Sequence, residues 1–363
     1  MKTGELIFVG FGLGEDGLTL KGLEVVRDAD EVYVEIYTNY TPGHVLRKLE
    51  KVSGRVFKRA SREDLENLGG KLILDKAAES RIVLLTPGDP LTATTHIALR
   101  LEAEKRGIKT RVVGSSSVVT SAAGACGLQI YKFGEIATIC FPDGGVISTK
   151  PYETTFYNLA RGLHTLLLLD YRAYENKAMT INEGLKLLRE VENVKQMGVF
   201  TEDRLVVGLA RLGYDDSKVK GGRLDELIYE DFGEPPHCMI VPGTLHFLEV
   251  EALIRLADVR RRLVENIPRF RGFIEVDALD RYILCVKNVF REMKTLGETR
   301  EMSIEKLNLA LEWARNYYSD SVAFRRKGDL VSSLIAIAYC EGILEGLRLL
   351  KLVDFKWEGE RHE

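Results

Sequence analysis

The sequence predicts a two-domain α/β protein, a parallel-sheet domain followed by a mixed-sheet domain, with an all-α helical bundle at its C-terminal end. Three observations lead there. Over residues 1–128, short apolar runs alternate with helix-patterned stretches, the mark of a parallel sheet covered on both faces. A second series of apolar runs follows "YKFG" at 131–134, and part of it reads as a hairpin. Beyond about residue 255 strand-type runs stop and long amphipathic segments take over. The expected divisions are 1–130, 131–255 and 256–363.

In the first domain "ELIFVGFG" (5–12), "EVYVEIY" (31–37), "RIVLLTPG" (81–88) and "KTRVVG" (109–114) read as strands. Helical patterns at 18–28, 43–51 and 95–106 lie between them. In the second domain the strand candidates are 136–141, "TLLLLD" (165–170), "QMGVFT" (196–201), "RLVVGLA" (204–210) and "HCMIVPG" (237–243). "VFTEDRLVVGLA" predicts an antiparallel hairpin turning at Glu202-Asp203, so this sheet should be mixed. In the third part Leu279, Ile283, Val286, Val289 and Phe290 recur at helical spacing. A helix over 303–328 opens at Ser303 and stops at Gly328; another restarts behind Asp329 as N-cap.

Composition narrows the function classes. A hydrophobic content of 45% supports a real core, and a net charge of −3 supplies no global basic field for nucleic acid. "RRRLVENIPRFR" (260–271) reads as a solvated linker before it reads as a basic contact surface. The five cysteines are dispersed, with no C-x-x-C and no histidine at metal spacing, which predicts reduced thiols and no metal site. The chain enters a strand straight after "MKTGE", and no unbroken apolar run reaches the ~18 residues of a membrane span. A soluble, cytoplasmic protein is expected.

Two loops invite a ligand. "LTPGDPLTATTH" (85–96) leaves an apolar strand through Pro87-Gly88-Asp89-Pro90, where two prolines fix the backbone and forbid a helix before Leu91. A plain βα loop needs only turn chemistry. A rigid loop at the carboxyl end of a strand is also where open α/β sheets place their sites. "FVGFGLGEDGLTLKG" (8–22) places Gly10, Gly12 and Gly14 after the first strand. It departs from G-x-G-x-x-G, because position 15 is Glu, and Glu35 lies too far along to serve as the ribose acid. A nicotinamide dinucleotide is disfavoured, and another adenosyl ligand fits better.

With "GSSSVVTSAAGACGLQIYKFG" (114–134), "RGLHTLLLLDYR" (161–172) and "EDFGEPPHCMIVPGTLHFLE" (230–249), these stretches resemble the diphthine synthases, within the tetrapyrrole-methylase-like class of S-adenosylmethionine methyltransferases. "GLQIYKFG", "GLHTLLLLD" and "EPPHCMIVPG" carry the narrower likeness, and order and spacing hold from residue 5 to about 255. The resemblance implies a homodimeric enzyme of tetrapyrrole-methylase-like fold, binding S-adenosylmethionine between its two sheets. Its protein substrate would be elongation factor 2, at a histidine bearing a 3-amino-3-carboxypropyl group, whose amine is methylated successively to give diphthine. By position, the cofactor contacts would be Leu13, Asp89, Thr92, Ser117, Val118, Leu169, Leu212 and His237. Thr92 stands where an aliphatic residue is expected, Leu212 where a smaller one is familiar, and the triple serine leaves the register of Ser117 open. Pro87 and Pro90 would hold the loop rigid, and Gly88 would let the main chain approach the adenosyl group without a Cβ clash.

Methyl transfer from a sulfonium to an amine draws its reactivity from the cofactor, and the protein chiefly holds the reactants in line. No dedicated base stands out, so no catalytic residue is assigned. His237 reads as a binding residue, His164 as a structural histidine, and His96 as a helix-face or interface residue. The alternatives are a methylase of a cobalamin-type tetrapyrrole precursor and a catalytically silent binding module. The C-terminal part resembles an archaeal helical domain of unknown function, a hairpin in which Trp313, Tyr317 and Tyr339 are expected in the core. Neither a membrane nor direct nucleic-acid contact is expected, and the partner of the helical domain is unassigned.

Overall fold

The computed structural model describes residues 4–265, 276–297, 302–327 and 329–357. The chain divides into two units, Met1–Gly272 and Phe273–Glu363.

The first unit opens with β1 (Glu5–Gly10), β2 (Glu31–Glu35), β3 (Lys58–Ala60), β4 (Arg81–Thr86) and β5 (Lys109–Val113). They form one sheet in the order β3-β2-β4-β1-β5, parallel throughout. Helices α1 (Leu20–Arg27), α2 (Gly43–Ser53), α3 (Lys71–Ala77), α4 (Ile97–Lys105) and α5 (Val118–Cys126) intersperse these strands in the chain. Alternate residues of β1 and β4 enter separate cores: Leu6, Phe8, Ile82 and Leu84 on one side, Ile7, Val9, Val83 and Leu85 on the other. Burial on both faces explains the continuous apolar runs. The strand β3, "KRA", carries no apolar pattern and escaped the sequence reading.

The second half of this unit holds β6 (Ala137–Ile139), β7 (Thr165–Leu169), the ribbon β8 (Tyr171–Arg172) and β9 (Lys177–Ala178), then β10 (Leu205–Ala210), β11 (Lys218–Arg223) and β12 (His237–Val241). The main sheet runs β11-β10-β12-β7-β6, with only β6 and β7 parallel, and is therefore mixed. It is accompanied by α6 (Lys150–Ala160), α7 (Ile181–Lys195), α8 (Leu224–Leu227), α9 (Phe247–Leu256) and α10 (Arg261–Glu265).

The hairpin expected at 196–210 does not form. β10 pairs with β11 and β12, and residues 196–201 are irregular. Their backbone groups are met by side chains: the Glu192 carboxylate accepts from the amides of Gly198, Val199 and Phe200 at 2.8, 2.7 and 2.6 Å. Arg204 donates to the carbonyls of Val199 and Gly198. Val199 and Phe200 are fully buried, so the apolar signal came from a core plug without a ladder.

The second unit contains α11 (Val276–Glu292), α12 (Ile304–Arg326) and α13 (Leu330–Leu349), with a small ribbon of β13 (Lys294–Thr295) and β14 (Val353–Asp354). The Ser303 hydroxyl caps α12 through the Lys306 amide, and Asp329 caps α13 through the Ser332 amide. Gly328 and residues 266–271 of the basic stretch lie outside the described residues. Leu279, Val286, Leu307, Leu311, Ile337 and Leu344 build the core. Of the aromatic trio only Tyr317 packs against this core. Trp313 and Tyr339 are 54% and 61% exposed, and Tyr317 stacks on Tyr339 with ring centroids 5.4 Å apart. α13 is long and apolar enough, by length and composition, to cross a membrane. It nevertheless carries Glu341, Glu345 and Arg348, and it buries Ile337, Cys340 and Leu344 against its neighbours.

Candidate active site between the two sheets

Because β1 lies between β4 and β5, the loops that leave their carboxyl ends emerge side by side. Two of them are bonded directly: the Gly12 amide donates to the Gly88 carbonyl and the Gly88 amide to the Gly12 carbonyl, both at 3.0 Å. Gly88 has φ +71°, and a Cβ there would meet only the Ser116 carbonyl at 3.8 Å. Within the protein, glycine is required here by the left-handed backbone. Pro87 and Pro90 are buried on either side.

Asp89 both braces this loop and faces the space in front of it. Its carboxylate accepts from the Leu91 amide at 3.1 Å, the Thr92 hydroxyl at 2.9 Å and the Ser115 amide at 3.3 Å. Asp89 is thus a turn aspartate and a residue of the cleft wall. The three serines divide the remaining work. Ser115 donates to the Gly17 carbonyl at 2.7 Å, Ser116 accepts from the Leu13 amide at 3.1 Å, and Ser117 caps α5.

The second sheet supplies the opposite wall. Leu169 ends β7, Leu212 follows β10, and His237 begins β12. A Cβ on Gly14 would sit 2.0 Å from the Gly213 carbonyl oxygen, so these loops of the two halves touch through their backbones. Between the walls lies a cleft, and Leu13, Asp89, Thr92, Ser117, Val118, Leu169, Leu212 and His237 all line it. The structure thus brings together all eight positions expected to contact a cofactor. It adds Thr38, Asn39, Ala93, Thr94, Leu168 and Pro236, among others. Thr38 and Asn39 follow the carboxyl end of β2, and the strand-end rule that flagged the Pro-Gly loop would have found them.

The histidines separate by environment. His237 is nearly buried. Its Nε2 donates to the Glu234 carbonyl at 3.2 Å and its Nδ1 accepts from the Ile181 amide at 3.4 Å. Burial holds it below the ordinary histidine range, so the ring is a neutral wall with both nitrogens engaged. His164 is fully buried between the Glu249 carboxylate, 3.1 Å from Nε2, and the Gly243 amide, which donates to Nδ1 at 2.9 Å. That is the structural role expected of it. His96 is not a helix-face or interface residue: it is 2% exposed, with Nδ1 3.0 Å from the Pro90 carbonyl and Nε2 3.9 Å from Glu35.

The cleft suits an adenosyl ligand. Five leucines, Val118 and two prolines give it apolar surface, and Asp89 offers the charged acceptor. Two packed α/β halves with a site at the carboxyl edge of the parallel sheet are the architecture of the methyltransferase class to which the family match assigns the chain. The family model for Tetrapyrrole (Corrin/Porphyrin) Methylases matches residues 5–228. A second model, a protein of unknown function (DUF357), matches residues 281–353. A diphthine synthase of Methanocaldococcus jannaschii is 45% identical over 256 residues, covering 70% of this chain and 99% of the relative. One of Methanosphaera stadtmanae is 41% identical over 262 residues, covering 72% and 99%. A crystal structure of diphthine synthase shares 38% identity with a TM-score of 0.66, covering 72% of this chain and 100% of its own. The chain belongs to the diphthine synthase family, S-adenosylmethionine-dependent methyltransferases, with a DUF357 segment following the enzyme portion.

Proposed function

We propose that this chain transfers methyl groups successively from S-adenosylmethionine to the amine of a 3-amino-3-carboxypropyl-histidine on elongation factor 2, forming diphthine. The observation that carries this reading is the convergence of Leu13, Asp89, Thr92, Ser117, Val118, Leu169, Leu212 and His237 on one cleft, in a chain of the diphthine synthase family. When bound, S-adenosylmethionine supplies an electrophilic methyl on a sulfonium. Leu13, Val118, Leu169 and Leu212 offer apolar surface to its adenosyl part, and Asp89 offers charge to its cationic groups. The rigid Pro87–Pro90 loop spares the cost of ordering that wall on binding. His237, neutral and doubly bonded, holds its place without taking a proton. The enzyme works as a cytoplasmic homodimer and needs neither a membrane nor direct contact with nucleic acid.

The test uses the full chain, labelled S-adenosylmethionine, and elongation factor 2 carrying the aminocarboxypropyl-histidine. Mass spectrometry of that histidine should show a gain of three methyl groups. Cofactor binding without any gain on the factor would reject the substrate, and the tetrapyrrole alternative would then be tested with an acidic macrocycle.

A further inference from the structure

A buried carboxylate sits immediately behind the cleft. Glu35 ends β2 and is fully inaccessible to solvent. Its Oε2 accepts from the Tyr37 and Thr38 amides at 3.1 and 3.2 Å, and its Oε1 accepts from the Thr38 hydroxyl at 2.6 Å. Thr38 itself lines the cleft. On the far side of Oε1, at 3.9 Å, stands Nε2 of His96, which is buried and has no hydrogen-bond partner. Because a carbonyl oxygen only accepts, the bond from Nδ1 to Pro90 places the imidazole proton on Nδ1.

A structural carboxylate in such a place is normally matched by a cation. Here it also holds the hydroxyl of Thr38, a residue of the cleft wall. Resting on the substrate reading above, we propose that Thr38 is the residue that takes the proton from the substrate amine and hands it to Glu35. In each cycle the ammonium N–H donates its proton to the Thr38 oxygen as the Thr38 hydroxyl proton passes to Oε1 of Glu35. The freed nitrogen lone pair forms the N–C bond while the C–S bond breaks, its electron pair staying on sulfur. The nitrogen is then cationic again and must lose one more proton before the next transfer. Three transfers release three protons from the nitrogen, and the trimethylammonium product has none left. Between cycles the proton on Glu35 returns through Thr38 to solvent as the cleft exchanges its methyl donor.

Burial pushes the Glu35 carboxyl up, against the pull of His96 and the Thr38 and Tyr37 bonds, the direction a proton acceptor needs. The other titratable groups beside the pair are the Tyr37 phenol, raised by burial and by Glu35, and Glu66 beyond it. Arg62 lies over the Tyr37 ring, 5.4 Å from its centroid.

The experiment compares the full chain with Thr38→Val and Thr38→Ser, measuring methyl transfer to the modified factor from pH 6 to 9 and S-adenosylmethionine affinity by calorimetry. Thr38→Val should lose about 100-fold in kcat at saturating S-adenosylmethionine, beyond any change in cofactor affinity, the scale of one positioned proton acceptor. Its residual rate should climb with pH, because the amine must then lose its proton to bulk water, and Thr38→Ser should recover most of the rate and the original profile. An unchanged kcat and pH profile in Thr38→Val overturns the relay, as does a rate loss that follows lost cofactor affinity or that serine does not restore. If the unsubstituted chain transfers no methyl at all, the substrate reading falls and the relay falls with it; transfer by that chain with an unaffected Thr38→Val rejects the relay alone.

Discussion

At the scale of single residues, Glu249 does most to hold the second sheet to the segment before it. Its carboxylate accepts from the Gln129 and His246 amides at 3.0 and 2.8 Å, bonds His164, and pairs with Lys132. Burial disfavours its charge, but the His246 amide, Lys132, the Gln129 amide and His164 outweigh it and bring the carboxyl from 4.5 down to about 2. A carboxyl depressed in the folded state contributes stability that is fully present above its unfolded value of 4.5 and is lost as pH falls through about 2. His164 acts in the same sense: burial holds it below 6.5, so the unfolded chain gains a proton first as the solution is acidified. Urea unfolding at a series of pH values should show stability declining from below about pH 6.5 and steeply below 4.5. Glu249→Ala, which strands Lys132 and His164, should cost about 3–5 kcal/mol at pH 7 in the same measurement.

At the scale of elements, the ligand loop between β4 and α4 is where backbone and site coincide. Gly88 is placed at a φ that any side chain resists, so Gly88→Ala should lower stability by about 1–2 kcal/mol. It should also weaken S-adenosylmethionine binding by about tenfold, read by denaturant titration and calorimetry. This loop was legible in the sequence because prolines and glycine announce their conformations. The eight cleft residues were legible through the family resemblance, and their convergence follows from strand order. What escaped lacked a local signal. β11, "KVKGGR", has neither alternation nor an apolar run, because its pairing with β10 fixes it and its own side chains do not. Residues 196–201 misled for the opposite reason: Val199 and Phe200 are buried, and Glu192 satisfies amides that a strand would have paired. Glu35 sits at the wrong spacing for a ribose acid, and its approach to His96 joins two separate segments with no signature in spacing.

For the whole molecule, the break between Gly272 and Phe273 separates two units that each have their own core. The curated relatives cover 99% of their own lengths with about 70% of this chain, so the enzyme portion stands as a complete protein elsewhere. A chain ending at residue 272 should therefore fold cooperatively and bind S-adenosylmethionine as the full chain does, checked by thermal unfolding and calorimetry. If methyl transfer to elongation factor 2 then weakens only through KM, the helical unit belongs to substrate recognition. The exposed Trp313 and the Tyr317–Tyr339 stack lay outside what helical spacing reveals, since a period marks a face without saying what covers it.

The position of Glu249 in the chain also bears on how the molecule is made. The parallel sheet is complete once Val113 has been synthesised, because no later strand joins it. The second half differs: Gln129, Lys132 and His164 wait for a carboxylate that arrives more than 80 residues after the last of them. Growing from its N-terminus, the chain can settle its first half while the second is still without its clasp. The ribosome thus delivers the enzyme in two instalments, and the cleft between them closes only with the later one.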